Sequence, residues 1–200
     1  MSKRLIVATG NEGKMVEFRQ ILGDTDREFA SLKDMHLQDV EIVEDGTTFE
    51  ENAIIKAKAI MEITGEMVLA DDSGLEVDYL DKAPGIYSAR YLGEDTSYTV
   101  KNNHIISLLK DVPEEKRSAR FVCVIACAFP DGRVITSRAT VEGQIGYEEK
   151  GKNGFGYDPI FYVPEFGCTT AELSPEDKNK ISHRGKALRH MHEMLKKEGI

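Results

Sequence analysis

The stretch VATGNEGK, residues 7 to 14, has the residue types of a phosphate-binding loop. The Walker pattern G-x-x-x-x-G-K-[ST] is excluded, because only two residues separate the glycines and a methionine follows the lysine. A loop that leads from a strand into a helix still presents free N–H groups and a partial positive charge to an anion. Thr9, Asn11 and Lys14 add side-chain donors. We therefore interpret the loop as a candidate phosphate site, with an ordinary strand-to-helix turn as the alternative.

Adjacent carboxylates at Asp71 and Asp72 follow an apolar run in MVLADDSG. Side chains at the end of a buried strand face the crevice in which α/β proteins bind ligands. Mg²⁺ commonly takes one or two protein carboxylates, with water and phosphate oxygens at its other positions. Glu44 is a further candidate ligand, since it precedes a helix without lying in its first turn. An acidic turn without a metal remains the alternative, and Lys56 taken alone is typical of a surface lysine.

The C-terminal part of the chain combines an aromatic side chain with several donors. Phe155 lies between glycines in NGFGYDPIF, and an aromatic ring in such a loop can stack on a nucleobase. Lys178, His183 and Arg184 precede or begin the last helix. Each of these residues, taken singly, also fits a structural role in a core or on a solvated helix.

Helices and strands must alternate to position these residues. In the first half, LIVA predicts a strand, GKMVEFRQIL a helix, and residues 40–43 a strand. TTFEENAIIKAKAIMEIT predicts a helix in which Thr48 and Glu51 form a capping box. MVLADDSGLEVDYL then predicts a strand, an acidic turn and a second strand.

The second half continues the alternation. SYTVKNNHIISLLKDV predicts a helix, SARFVCVIACAFP a buried strand, and GRVITSRATVEGQI antiparallel strands after a PDG turn. A glycine-rich loop and the helix SHRGKALRHMHEMLKKE complete the chain. The fold class that follows is α/β, a mixed β-sheet with flanking helices.

Composition narrows the class of protein. A chain of 200 residues suits one domain, residues 1–200. Its 35 acidic and 26 basic residues give a net charge of −9, which disfavours binding to long nucleic acid. No apolar run approaches the roughly 20 residues of a membrane span, and no signal segment precedes the first strand. We therefore expect a cytoplasmic protein with no membrane association, whose three cysteines are reduced thiols.

Five sequence blocks occur in one order: TGNEGK, FEENAIIKAKA, LADDSGLEVDYLDKAPGIYSARY, GFGYDPIF and KNKISHRGKAL. With these blocks the chain resembles the inosine triphosphate pyrophosphatase family over essentially its whole length. The resemblance implies hydrolysis of ITP, dITP and XTP to the monophosphate and pyrophosphate. It also implies Mg²⁺, a homodimer, and two lobes around a central nucleotide-binding cleft.

The resemblance assigns roles to particular residues. Glu44 and Asp72 match the metal-binding acids, and Asp72 also matches the catalytic base. The phosphate-binding positions are Thr9, Asn11, Lys14, Lys56 and Ser73. The base-recognition positions are Phe155, Asp158, Lys178, His183 and Arg184. The resemblance therefore favours a phosphate-binding role for Lys56 over its interpretation as a surface lysine.

Two other functions compete with this one. A non-catalytic purine nucleotide sensor would use the same loop and base pocket, but binding of a polyanion alone does not call for clustered carboxylates. A phosphatase for small phosphoesters would release orthophosphate. The pyrophosphatase accounts best for lysines and acids together, because phosphoryl transfer depends on positioning and charge neutralisation.

Overall fold

A computed structural model of the chain describes residues 4–23 and 28–199. The strands within these residues are β1 (Arg4–Val7), β2 (Glu28–Ser31), β3 (Met67–Val77), β4 (Ser118–Ala128), β5 (Val134–Ile145), β6 (Phe161–Val163) and β7 (Cys168–Thr169). The α-helices are α1 (Glu12–Leu22), α2 (Phe49–Thr64), α3 (Tyr98–Leu108), α4 (Pro175–Ile181) and α5 (His183–Lys197). No helix in this described part has the length and apolarity to cross a membrane.

The strands form one mixed sheet in the order β2-β1-β3-β4-β5-β6-β7. β1 runs parallel to both of its neighbours, so that Ile6 lies opposite Ala30 on one side and Val68 on the other. β6 pairs antiparallel with β5 and with β7. The predicted α/β class with a mixed sheet and flanking helices is confirmed.

The described residues divide into two compact units. Unit 1 is drawn from Met1–Asp72, Cys123–Ala139 and Arg184–Ile200, and unit 2 from Ser73–Val122 and Thr140–His183. Each unit has its own apolar core. The core of unit 1 includes Leu5, Phe18, Leu69, Ile125 and Leu188. The core of unit 2 includes Leu75, Ile105, Phe121, Ile145 and Phe161. The assignment of residues 1–200 to one domain stays a prediction.

The three cysteines are free thiols, and two of them are packing residues of a core. Cys123 and Cys127 are buried in the core of unit 1, and none of the three cysteines forms a disulfide. Burial raises the pKa of the Cys123 thiol to about 12. At neutral pH this thiol is therefore protonated, which suits a packing residue and not a nucleophile.

Side-chain caps begin the two helices that carry the candidate lysines. Asn11 Oδ1 accepts the Lys14 N–H at 3.1 Å and begins α1, and Thr48 Oγ1 accepts the Glu51 N–H at 3.1 Å and begins α2. The predicted cap at Thr48 is confirmed. The Glu51 carboxylate accepts from the backbone N–H of Thr47 at 2.6 Å, one residue before the partner that a capping box requires.

Two sequence predictions are wrong, and one helix was not predicted. The predicted acidic turn is wrong, because β3 runs without interruption from Met67 to Val77. Its two aspartates are buried and contact lysine and arginine side chains from extended backbone, so no turn is needed. The strand predicted at residues 40–43 is absent, since Val43 is 74% exposed and the segment has no buried face. The short helix α4 was not predicted.

Candidate active site

The loop before α1 uses its polar side chains to order its own backbone. Thr9 Oγ1 accepts the Asn11 N–H at 3.2 Å, and Asn11 Oδ1 caps α1. The turn therefore holds the first residues of α1, including Lys14, in a defined orientation. Phosphate contacts by Thr9 and Asn11 stay predictions.

Lys14 reaches a fully buried carboxylate in unit 1. Its Nζ lies 2.8 Å from Asp71 Oδ2, and the Arg184 Nε lies 3.4 Å from the same oxygen. Burial alone would raise the pKa of Asp71, but Lys14 and Arg184 outweigh it and lower that pKa well below its usual value. Asp71 is therefore ionised and binds two cations.

Arg184 lies in this ion-pair group, although the sequence grouped it with base recognition. Besides Asp71, its guanidinium donates from Nη1 to Glu17 Oε2 at 2.5 Å, and the Arg184 side chain is only 3% exposed. A base contact by Arg184 stays a prediction. Glu17 was missed in the sequence, where the available signal was an acid beside Phe18 on the core-facing side of α1.

Lys56 bridges the two acids that were predicted to bind metal. Its Nζ lies 2.9 Å from Glu44 Oε2 and 3.5 Å from Asp72 Oδ1, and its side chain is 13% exposed. The interpretation as a solvated surface lysine is wrong. Burial lowers the pKa of Lys56, but Asp72, Asp71 and Glu44 outweigh it, so its pKa lies above the usual value.

The pKa of Asp72 is shifted in the opposite direction from that of Asp71. Burial raises its pKa first, Glu44 and Asp71 raise it further, and Lys56 and Lys14 oppose them without cancelling the rise. Alternation along β3 explains the contrast, because successive side chains point to opposite faces of a strand. Asp71 thus receives Lys14 and Arg184, whereas Asp72 receives Lys56.

The acids beside Lys56 fit a magnesium ion by their chemistry. Asp72 Oδ2 is buried and has no hydrogen-bond partner among the described residues. A buried carboxylate oxygen in that state is costly unless a cation or a donor reaches it. No group of three or more His, Cys, Asp or Glu side chains is arranged to hold a metal within residues 4–23 and 28–199. Two carboxylates are nevertheless enough for Mg²⁺, which keeps several waters.

Asp158 organises the predicted base-recognition residues of unit 2. Its Oδ2 accepts from the Phe155 N–H at 2.8 Å and from Lys178 Nζ at 2.7 Å, and its Oδ1 accepts from Thr170 Oγ1 at 2.8 Å. Lys178 Nζ also lies 4.9 Å from the centroid of the Phe155 ring. The structure thus brings three predicted residues together, and adds Thr170, which carried no motif in the sequence. Their contacts with a base stay predictions.

The glycines around Phe155 permit this arrangement. Gly154 and Gly156 have φ angles of +74° and +68°, a region that favours glycine. A Cβ on Gly154 would lie 2.2 Å from Asp158 Oδ2. The loop therefore leaves the Phe155 side chain 38% exposed while its backbone is held by a buried carboxylate.

Two predicted residues of unit 2 stand outside the Asp158 group. His183 is 8% exposed and stacks on Phe121, with ring centroids 4.8 Å apart and planes at 20°. Ser73 is half-buried on β3, directly after Asp72. Their contacts with substrate stay predictions.

Comparison with known proteins decides the family. The family model described as the Ham1 family matches residues 5–194. The chain belongs to the Ham1 family. Its resemblance to the inosine triphosphate pyrophosphatases is thereby confirmed.

Relatives in the Ham1 family match over nearly their whole length. A protein of Desulforamulus reducens named dITP/XTP pyrophosphatase is 52% identical over 192 residues, which cover 96% of this chain and 95% of that protein. A dITP/XTP pyrophosphatase of Exiguobacterium sibiricum is 50% identical, with 96% of each chain covered. The solved structure of the Staphylococcus aureus Ham1 protein is 41% identical and superposes with a TM-score of 0.89 over 98% of this chain and 99% of that one. The chain and this Ham1 protein therefore share the same fold.

Proposed function

We propose that this chain hydrolyses the non-standard purine nucleoside triphosphates ITP, dITP and XTP to the monophosphate and pyrophosphate. The reaction breaks a phosphoric anhydride and would remove such nucleotides from the pool available for nucleic-acid synthesis. Family membership supports the proposal, because relatives that are 52% and 50% identical are named dITP/XTP pyrophosphatases.

One structural observation carries the proposal: two lysines of unit 1 are held against three acids. Lys14 contacts Asp71, and Lys56 contacts Glu44 and Asp72. Lysines that bind the leaving pyrophosphate would neutralise its charge, and a carboxylate near the attacking water would take its proton. A site that only bound a triphosphate would gain nothing from the acids.

Each side chain has a distinct task in this mechanism. Lys14 and Lys56 bind phosphate oxygens at the N-terminus of α1 and on α2, and Asp71 orients Lys14. Asp72 accepts a proton from the attacking water, in the role of catalytic base that the family resemblance implies for it. Glu44 and Asp72 would hold Mg²⁺, which would supply positive charge to offset that of the phosphates.

Base selection follows from the donors of unit 2. Phe155 stacks on the purine, while Lys178 and His183 supply donors for the oxygen at position 6 of hypoxanthine or xanthine. Adenine carries an amino group at that position, and each donor left unpaired in a buried site costs about 1–3 kcal/mol. Triphosphates with a 6-oxo purine are therefore preferred over ATP.

Three further features belong to the proposal: Mg²⁺ as cofactor, a homodimeric assembly and a cytoplasmic location. The family resemblance supports the first two. The third is the expectation that the sequence analysis gave.

The product formed from ITP tests the proposed reaction. The purified chain is incubated with ITP and MgCl₂, and the phosphorus-containing products are identified by ³¹P NMR. We expect pyrophosphate and IMP, with much slower turnover of ATP and none in excess EDTA. Orthophosphate as the first product would favour a phosphatase. ITP binding without any product would favour the non-catalytic sensor.

A further inference from the structure

Asn102 on α3 joins both ends of the loop that carries Phe155. Its Nδ2 donates to the Gly156 carbonyl at 3.2 Å and to Glu149 Oε1 at 2.7 Å, and Asn102 is 1% exposed. Both partners are pure acceptors, so the amide must present its NH₂ group to them. One buried side chain of α3 thus ties the end of the loop beside Phe155 to its beginning.

The same helix, α3, also contacts the loop through the aromatic ring of Tyr98. A Cβ built on Gly156 would lie 3.5 Å from Tyr98, which is ordinary van der Waals contact. The Tyr98 ring also meets Tyr157 edge to face, at 5.3 Å and 89°. Gly156 and Tyr157 therefore lie beside Tyr98, the first residue of α3.

Phe155 is consequently held from two directions within unit 2. Asp158 accepts its backbone N–H, and Asn102 holds the carbonyl of the next residue. These hydrogen bonds fix the backbone from which the ring projects, and so they limit where the ring can lie. A stacking ring contributes most when its orientation is fixed before the ligand arrives, because less conformational entropy is lost on binding.

We propose that Asn102 is a positioning residue for Phe155, and that it sets the affinity for the purine without taking part in base selection. The proposal rests on the proposed role of Phe155 in stacking. Every base offers a π-face, so stacking does not distinguish hypoxanthine from adenine. Loss of Asn102 should therefore weaken binding of all purine triphosphates alike.

The first test measures the Phe155 position without any nucleotide. The sequence contains no tryptophan, so Phe155→Trp introduces a single fluorophore at the ring in question. We expect Asn102→Ala in this background to increase indole mobility in time-resolved anisotropy and to increase quenching by acrylamide. Asn103→Ala is the matched control, because Asn103 is the next residue on α3 and is exposed. Unchanged anisotropy and quenching in the Asn102→Ala protein would overturn the proposal.

The second test measures kinetics in the protein without tryptophan. We expect Asn102→Ala to raise KM for ITP and for ATP by a similar factor of about 5 to 10, the lower range of a stacking contribution. The kcat values should change less than about twofold, on the reasoning that uniform binding affects KM alone. Asn103→Ala should keep the parental KM.

A double variant separates positioning from simple stabilisation. If Asn102 acts through Phe155, Asn102→Ala should add little to the KM of Phe155→Ala. Independent, multiplicative effects would overturn the proposal, as would a lower melting temperature with a parental KM.

Should Asn102→Ala fail to fold, Glu149 provides a second test. Glu149→Ala removes one partner of Asn102 at an exposed position and should raise KM, whereas Glu149→Gln keeps an acceptor oxygen and should keep the parental KM. A parental protein that leaves ITP intact would instead refute the proposed function, while the fluorescence test still decides the role of Asn102.

Discussion

At the scale of single residues, two adjacent aspartates differ in what surrounds them. Asp71 is fully buried between Lys14 and Arg184, and its pKa is lowered. Asp72 is near Lys56 but also near two other acids, and its pKa is raised. The negative charge on Asp71 therefore stabilises the folded state. The negative charge on Asp72 destabilises the folded state, which fits a role in catalysis or metal binding.

The first prediction compares the same substitution at both positions. Asp71→Asn should lower the free energy of unfolding by about 3–5 kcal/mol, as expected when a buried ion pair loses one partner. Asp72→Asn should raise it slightly in the metal-free protein, because repulsion with Glu44 and Asp71 is relieved. Urea denaturation at pH 7 with EDTA measures both. Equal losses of stability in the two variants would contradict the assignment of opposite electrostatic roles.

The second prediction concerns the reaction. Asp72→Asn keeps the shape of the side chain but removes its charge and basicity, so kcat for ITP should fall at least about 100-fold. Added Mg²⁺ distinguishes the two roles of Asp72, since mass action refills a weakened metal site but does not replace a base. Steady-state kinetics over a Mg²⁺ titration provides the measurement. Parental turnover by a folded Asp72→Asn protein would remove Asp72 from catalysis.

At the scale of elements, a helix cap, a continuous strand and a loop bring the chemistry together. Asn11 caps α1 so that Lys14 faces Asp71, and the uninterrupted β3 presents Asp71 and Asp72 on opposite faces. In unit 2 the loop from Gly154 to Asp158 folds back so that one carboxylate binds the backbone of Phe155. These placements depend on backbone conformations that only some residues permit.

A third prediction tests the loop through its glycine. Gly154→Ala puts a Cβ 2.2 Å from Asp158 Oδ2 at a φ of +74°, so Asp158 must move. We expect a loss of about 1–3 kcal/mol in unfolding free energy, as is typical of strained backbone, together with a higher KM for ITP. Gly146→Ala is the matched control, because its Cβ would lie at an ordinary 3.5 Å from the nearest atom. Similar losses of stability and similar KM values in the two variants would argue against a constrained loop at Gly154.

At the scale of the whole molecule, a net charge of −9 coexists with a proposed polyanionic substrate. The cations that would meet the triphosphate are few and local, and each is held by a carboxylate. We therefore expect weak long-range attraction to nucleic acid, since that attraction depends on releasing counterions over an extended basic surface.

The fourth prediction follows from this charge distribution. Excess duplex DNA at physiological salt should leave the rate of ITP hydrolysis unchanged, and labelled duplex should show no rise in fluorescence anisotropy with added protein. Inorganic pyrophosphate, the proposed product, should inhibit hydrolysis in the same buffer. Inhibition by DNA at low micromolar concentration would contradict the prediction.

The sequence determined what depends on neighbours along the chain. The Thr48 cap, the amphipathic helices and the buried strand β4 follow from hydrogen bonds and side-chain periodicity within a few residues. The order of five motifs identified the family. Because these signals are local or are carried directly by the motif letters, no knowledge of distant contacts was needed to interpret them.

Only the tertiary structure decided which charges face one another. Lys56 lies beside Glu44 and Asp72, although its own segment is typical of a surface lysine. Arg184 contacts Asp71 and Glu17, which lie far from it in the sequence. Asn102 lies 54 residues from the carbonyl that it holds. Burial and ion pairing depend on segments that are far apart in the sequence. The composition or periodicity near any one of these residues therefore does not predict its partner.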